Sequence, residues 1–308
     1  MDRGVEHMKN GQIWFDINNQ PIQAHGGCII KHEDMYYWYG ENKGQDNVPG
    51  TKRVDIIGIS CYSSKNLVDW QYEGLVLQAK KQDENSKLYY KNVLERPKVL
   101  YNEKTGKFVM WMHVDDAEYL WAETGVAVSD TPTGPFHFIG SFRPNGRESR
   151  DMTVYKDSNG TAYLIHSSDA NCTTYIARLT EDYTDVDGFF VPAMEEQQRE
   201  APAICKHGDK YYMVTSGCTG WYCNSALFGI SDYVQGIWRL IDNPCEGENY
   251  RKTFFGQSTY IFEIDNQKFL MLDHWKPDDL KNSGYSILPI EFHDDNTMTI
   301  RWKEEWNG

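Results

Sequence analysis

Five times along the chain a polar residue heads a short apolar run, and a tight turn then leads into a second run rich in aromatics. The heads are His25 in AHGGCII, Glu95 in ERPKVLY, Asp151 in RDMTVYK, Glu200 in EAPAICK and Gln257 in GQSTYIF. The second runs are YYWYG, KFVMWMH, TAYLIHSS, KYYMVTS and KFLMLDHW. The connections between the two runs (HED, NEKTGK, KDSNGT, KHGDK, EIDNQK) are the Asn, Asp and Gly clusters of β-hairpins. A further pair of strand-like runs follows each hairpin, such as TGVAVSDTPTGPFHFIG and SALFGISDYVQGIWRL. One unit is therefore about four strands, and the heads recur roughly every 50–70 residues.

A self-similar unit of this kind predicts an all-β fold, a five-bladed β-propeller with four-stranded antiparallel blades around a central channel. Residues 1–308 then read as one catalytic unit, without a linker or low-complexity segment. The short strand GQIWFD near the start and MTIRW near the end are expected to complete one blade from both chain ends, which leaves no free sheet edge.

A propeller brings the heads of its innermost strands to one mouth of the channel. Glu95, Asp151 and Glu200 would then share a small volume with the amide of Gln257. Crowded carboxylates raise the pKa of at least one of them. A carboxyl held protonated near neutral pH is what a general acid needs, and glycoside hydrolysis uses such a group to protonate the departing oxygen. A single acidic head would more simply bond backbone amides, but three with an amide at equivalent positions argue for a chemical site.

The net charge of -14 disfavours nucleic acid and anionic membranes as partners and is compatible with a neutral substrate. Aromatic residues make up 14% of the chain, with 10 Trp and 20 Tyr, which suits a packed β-core or a surface that stacks on sugar rings. The 7 cysteines are odd in number and include no CxxC pair, so zinc and redox readings lack support. Cys28, Cys61 and Cys205 lie in apolar runs as small core residues, and Cys218 with Cys223 could form a local bridge. No stretch reaches the roughly 18 apolar residues of a membrane span.

The segments GQIWFDINNQPIQAHGG, YYWYGEN, CYSSKNLVDW, ERPKVLYNEKTGKFVMWMH, GVAVSDTPTGPF, SRDMTVYKDSNGTAYLIHSSD, EAPAICKHGDKYYMVTSGCTGW and FFGQSTYIF run in order through nearly the whole chain. Together they resemble glycoside hydrolase family 43, in particular its exo-β-1,3-galactanase branch. The resemblance implies an inverting enzyme that releases galactose from β-1,3-galactan, the backbone of arabinogalactans. It implies Glu200 as general acid and Gln257 as the residue that orients the water. Glu95 would bond a sugar hydroxyl or serve as the true base, and Asp151 would contact sugar and tune the acid.

Most of that family carries an Asp base at the head of the first blade. Here His25 stands in AHGG without one, a loss shared with the galactanase branch. That loss counts against the family's β-xylosidase and α-L-arabinofuranosidase activities. A binding propeller without catalysis is the remaining alternative, against which the retained Glu200 argues. A neutral amide such as Gln257 is a poor base; it could accept a hydrogen bond from water or act as its imidic tautomer, and it could instead be a galactose ligand.

Further expected sugar contacts are Glu41, Tyr119, Asn171, Cys218 or Thr219, and Trp221, the last either stacking on galactose or packing between blades. Trp121 and Trp275 are weaker rim candidates. His274 occupies a position that ligates a channel metal in some relatives; a buried, hydrogen-bonded role fits it better. No cofactor or catalytic metal is expected, although a structural cation in the channel is compatible with the fold. Family habit gives the expectation of a secreted or periplasmic enzyme acting on an oligo- or polysaccharide.

Overall fold

The computed structural model describes residues 8–308. Five four-stranded antiparallel blades form a ring, and each begins with its inner strand. Blade one runs through His25–His32, Met35–Glu41, Gly58–Ser64 and Gln71–Gln78. The inner strands of the next four blades are Val93–Asn102, Met152–Lys156, Arg199–His207 and Gln257–Ile264. Their hairpin partners are Lys107–Asp115, Ala162–Ser168, Lys210–Gly217 and Gln267–His274. The turns obey the expected chemistry: Asn102 Oδ1 accepts from the amides of Lys104 and Thr105, and Asp265 and Asn266 both take the left-handed conformation of a tight hairpin.

The strands are apolar on both faces because each blade is sandwiched between two others. In Lys107–Asp115, Met110 and Met112 face blade one while Trp111 faces blade three. The buried side chains accordingly fall into five clusters, one for each seam of the ring. Cys28, Cys61 and Cys205 are packed into these seams, and all seven cysteines are free thiols, Cys218 and Cys223 included.

The seam between blades five and one is the most aromatic. Trp38 is fully buried there and meets Trp14, Trp70 and Tyr285 edge-on at 6.0, 5.3 and 4.9 Å between ring centroids. Truncating such a side chain removes its contacts and leaves a void. Trp38→Ala is expected to lower unfolding stability by about 3–5 kcal/mol, read by chemical denaturation.

Both chain ends finish blade five, in unequal ways. Met298–Arg301 forms the regular ladder against Ile290–Phe292. The segment expected to be the N-terminal strand is no strand: it has two isolated bridges, one to blade five, Gln12 to Tyr285, and one within its own loop, Phe15 to Pro21. Beside Gln12, Asn10 donates to the Ile287 carbonyl and accepts from the Ile287 amide. The two ends then pair with each other, Met8–Lys9 against Glu305–Trp306. Cys245–Glu246 adds a short parallel strand outside Met298–Arg301.

Candidate active site

A β-bulge interrupts the inner strand next to the heads of blades one, two, four and five. In three of them the residue after the head is left-handed: Gly26, Arg96 and Ala201. Glycine adopts this freely, whereas Arg96 and Ala201 are held there at a cost of order 1 kcal/mol or more each. The kink re-aims the head side chains toward the axis. Glu95, Glu200 and Gln257, with Asp151 of the third blade, whose inner strand is unbulged, line one pocket of about 350 Å³, together with Glu41, Arg96, His113, Tyr119, Asn171, Trp221 and Trp275.

The fifth head does not join them. His25 is fully buried outside the pocket lining, stacked on Tyr285 at 4.6 Å with Nδ1 3.3 Å from Asp273. Its cross-strand partner Glu41 supplies the blade-one carboxylate instead. A Cβ at Gly26 would lie 2.3 Å from Glu41 Oε1, so that carboxylate fills the space a side chain there would need. The same rule runs round the ring. His113 faces Glu95, Ser216 faces Glu200 and Asp273 faces Gln257 across their hairpins. Of these partners, Glu41 and His113 line the pocket, Ser216 Oγ accepts from Gln257, and Asp273 bonds His25 and the Gly26 amide.

These partners separate the carboxyl groups chemically. Burial alone would raise Glu95, but His113, Lys43 and Tyr119 outweigh it and hold it down to about 2. The Tyr119 hydroxyl donates to Glu95 Oε1 at 3.0 Å, and His113 Nδ1 lies 3.4 Å from Oε2. Burial alone would lower His113; its hydrogen bonds and charge contacts with Asp115 and Glu95 push it up to about 9. Lys43 bridges Glu41 at 2.7 Å and Glu95 at 3.9 Å, and burial pushes Glu41 up against the pull of that ammonium. Arg96 pairs with Asp151 at 2.9 Å and gives its backbone N–H to Glu41.

Glu200 has amide neighbours at hydrogen-bonding distance, with Gln257 Nε2 at 3.1 Å and Asn171 Nδ2 at 3.5 Å, and no ion pair among the described residues. Burial first, then the nearby Asp151, push it up to about 8 against the pull of Arg96. In the pocket, then, Glu200 is pushed toward its protonated form and Glu95 toward its ionised form.

Gln257 has no spare hydrogen-bonding valence. Its Oε1 accepts from Arg96 Nη2 at 2.6 Å and from the Trp275 indole N–H at 2.9 Å. Its Nε2 donates to Glu200 Oε1 and to Ser216 Oγ.

The other expected residues divide. Tyr119 and Asn171 line the pocket, and Glu41 does so as a buried group, not as a solvated turn carboxylate. Trp221 forms a wall with Trp275, edge-on at 4.9 Å, with the Lys43 ammonium 5.3 Å from its ring centroid. The Cys218 thiol lies 3.8 Å from the Asn171 carbonyl oxygen, beside Glu200. Thr219 ties its own loop together through Tyr222 and Asn224 and does not line the pocket. Trp121 is away from the site, under the Lys87 ammonium. His274 is buried and bonded to Ser286 Oγ at 2.6 Å. Among the described residues no group of three or more His, Cys, Asp and Glu is placed to hold a metal ion, and no helix is long and apolar enough to cross a membrane.

The sequence reading passed over Arg96, Lys43, His113, Ser216 and Asp273. Arg96 and His113 lie inside segments quoted for other residues, ERPK and KFVMWMH; the hairpin register sets His113 opposite Glu95, and contacts between blades bring Arg96 to Asp151 and Gln257.

A family model described as glycosyl hydrolases family 43 matches residues 21–231. A family 43 β-1,3-galactosidase solved with galactodeoxynojirimycin is 37% identical, with a TM-score of 0.93 over 98% of this chain and 100% of that one. An exo-β-1,3-galactanase from Phanerochaete chrysosporium, a variant solved with β-1,3-galactotriose, is 30% identical, with a TM-score of 0.89 over 98% of this chain and 68% of that one. An exo-β-1,3-galactanase from Clostridium thermocellum is 34% identical, with a TM-score of 0.86 over 96% of this chain and 65% of that one. The search of curated proteins found no match.

Proposed function

The chain belongs to glycosyl hydrolase family 43 and is a glycoside hydrolase, and from that premise we propose that it is an inverting exo-enzyme releasing galactose from β-1,3-galactan. The observation that carries the mechanism is the split between Glu200, pushed up to about 8, and Glu95, held down to about 2, in one pocket. Two carboxyls driven apart in this way mark the acid and the anion of the reaction. The galactan substrate is supported by the likeness to β-1,3-galactosidases along almost the full chain.

In this reading the Glu200 O–H gives its proton to the glycosidic oxygen as the bond to C1 breaks. Water adds to C1 from the opposite face, and its proton passes to the Glu95 carboxylate and then to solvent. Glu95 is a weak base, but it is ionised at every working pH. The oxocarbenium-like transition state makes water placement count for more than base strength. Glu41 and Asp151 bind sugar hydroxyls, and the Trp221–Trp275 wall offers apolar surface to the ring. No metal is required by these steps.

The test is to incubate the protein with β-1,3-galactobiose, an aryl β-xyloside and an aryl α-L-arabinofuranoside. Galactose released from the first, appearing initially as the α-anomer by NMR, is the expected result. Release of xylose or arabinose without galactose would overturn the substrate. Binding without release of any sugar would make the chain a carbohydrate-binding propeller.

A further inference from the structure

We propose, resting on the galactan reading above, that a second pocket sharing Trp275 with the catalytic one holds a further neutral galactosyl residue of the same substrate. This cavity measures about 710 Å³, within the range of small-molecule sites, and Trp275 lines both pockets. It lies at the head end of blade five. Phe254 and Phe255 run directly into Gln257, and Trp275 stands two residues after Asp273, the cross-strand partner of Gln257. Strain is concentrated at this point. Thr253, Phe254 and Phe255 are three successive left-handed residues, a conformation that disfavours side chains larger than that of glycine. Thr253 anchors the run on blade four, donating to the Asn224 carbonyl at 2.7 Å and accepting from the Ala226 amide at 2.8 Å. Phe254 fills the seam between blades four and five. Phe255 belongs to none of the five core clusters and stands 48% exposed at the cavity, with the Lys252 ammonium 5.4 Å from its ring centroid. Strained backbone that ends in an exposed aromatic serves a ligand better than it serves a core.

The rest of the lining suits a sugar. Trp302 is part-exposed and held in place: its indole N–H donates to Glu304 Oε1 at 2.9 Å, and its ring meets Phe254 and His274 at 5.8 and 6.1 Å between centroids. Phe255 and Trp302 thus offer apolar ring surface to a pyranose. The side chains of Gln12, Glu248 and Asn249 have no partner among the described residues and are left to bond hydroxyls. An anion is disfavoured, because Glu246, Glu248 and Glu304 outnumber Lys276 and Arg301, and Arg301 is already paired with Glu246 and Glu291. Two sources can supply a neutral galactosyl residue to this pocket while another occupies the catalytic one: the continuing backbone, or a branch on it.

The test compares Phe255→Ala and Phe255→Tyr with the wild type on β-1,3-galactobiose, on linear β-1,3-galactotetraose, and on galactobiose carrying a galactosyl branch at O6. Phe255→Ala is expected to lower kcat/KM about 5–10-fold, through KM, on at least one of the two larger substrates, with galactobiose unchanged. Phe255→Tyr keeps the ring and should keep the wild-type values. Glu248→Ala should shift the same substrate in the same direction. A loss on the tetraose assigns the pocket to the backbone, and a loss on the branched sugar assigns it to a branch. Calorimetry of the two larger sugars on Glu200→Gln protein, with and without Phe255→Ala, reads the pocket without turnover. Unchanged binding and kinetics on both, or an equal loss on galactobiose, would overturn the proposal. Galactose release from galactobiose by the wild type decides the galactan reading separately, so the two fail independently.

Discussion

Glu200→Gln is expected to lower turnover of β-1,3-galactobiose by about 10²–10⁴-fold while sparing dinitrophenyl β-galactoside, which leaves without protonation. The wild-type rate on galactobiose should fall as pH rises through about 8, where the acid loses its proton, and that limb should vanish in the variant. The substitution should also stabilise the protein. Between the ordinary value of 4.5 and about 8 the folded state keeps a proton that the unfolded chain has released, so the Glu200 contribution to stability declines as pH rises through this window. Glutamine has no such dependence. The variant's Tm should therefore exceed that of the wild type, with a gap wider at pH 8 than at pH 5. A gap that stays constant across that range would mean that Glu200 is not held protonated in the fold. The acid is in this sense a cost to the fold that function retains.

Glu95→Gln is expected to have the opposite signature. Turnover should fall by about 10²–10⁴-fold on the activated substrate as well as on galactobiose, because the anion facing the water is needed whatever leaves. Azide should restore part of the rate and yield the α-galactosyl azide. Stability should drop, because Glu95 has its pKa depressed in the folded state. Its contribution is present above the ordinary value of 4.5 and is lost as pH falls toward about 2. Removing it at neutral pH leaves His113 and Lys43 short of one buried partner, worth about 1–3 kcal/mol. The His113 titration, pushed up to about 9 in the wild type, should move down, which NMR can follow. If both variants spared the activated substrate, Glu95 would be a sugar ligand and not the anion at the water.

The fold was legible because the repeat is local: each head, hairpin turn and aromatic strand is written within about 20 residues. Four of the five heads reach the pocket for the same reason. The first does not, because Gly26 leaves room that Glu41 enters from the adjacent strand. Which residue faces a head depends on a register set by a β-bulge, and a one-residue shift would turn those side chains to the other face. Asp273 beside Gln257 and His113 beside Glu95 could not be fixed from spacing alone. Arg96 was hidden for a different reason: its contacts with Asp151 and Gln257 cross blades far apart in sequence. Trp275 looked like rim, yet its ring nitrogen is committed to Gln257.

The joined chain ends bear on how the protein comes into being. Asn10 and Ile287 are separated by 277 residues, and their contact awaits synthesis of the last blade. Earlier blades can pack against one another as they emerge, since every seam but the one between blades five and one joins neighbours in the sequence. The pocket cannot form in stages, because Gln257 holds Glu200 from the fifth blade. A nascent chain carrying four blades lacks Gln257 and Trp275, so the pocket is complete only with the closing of the ring.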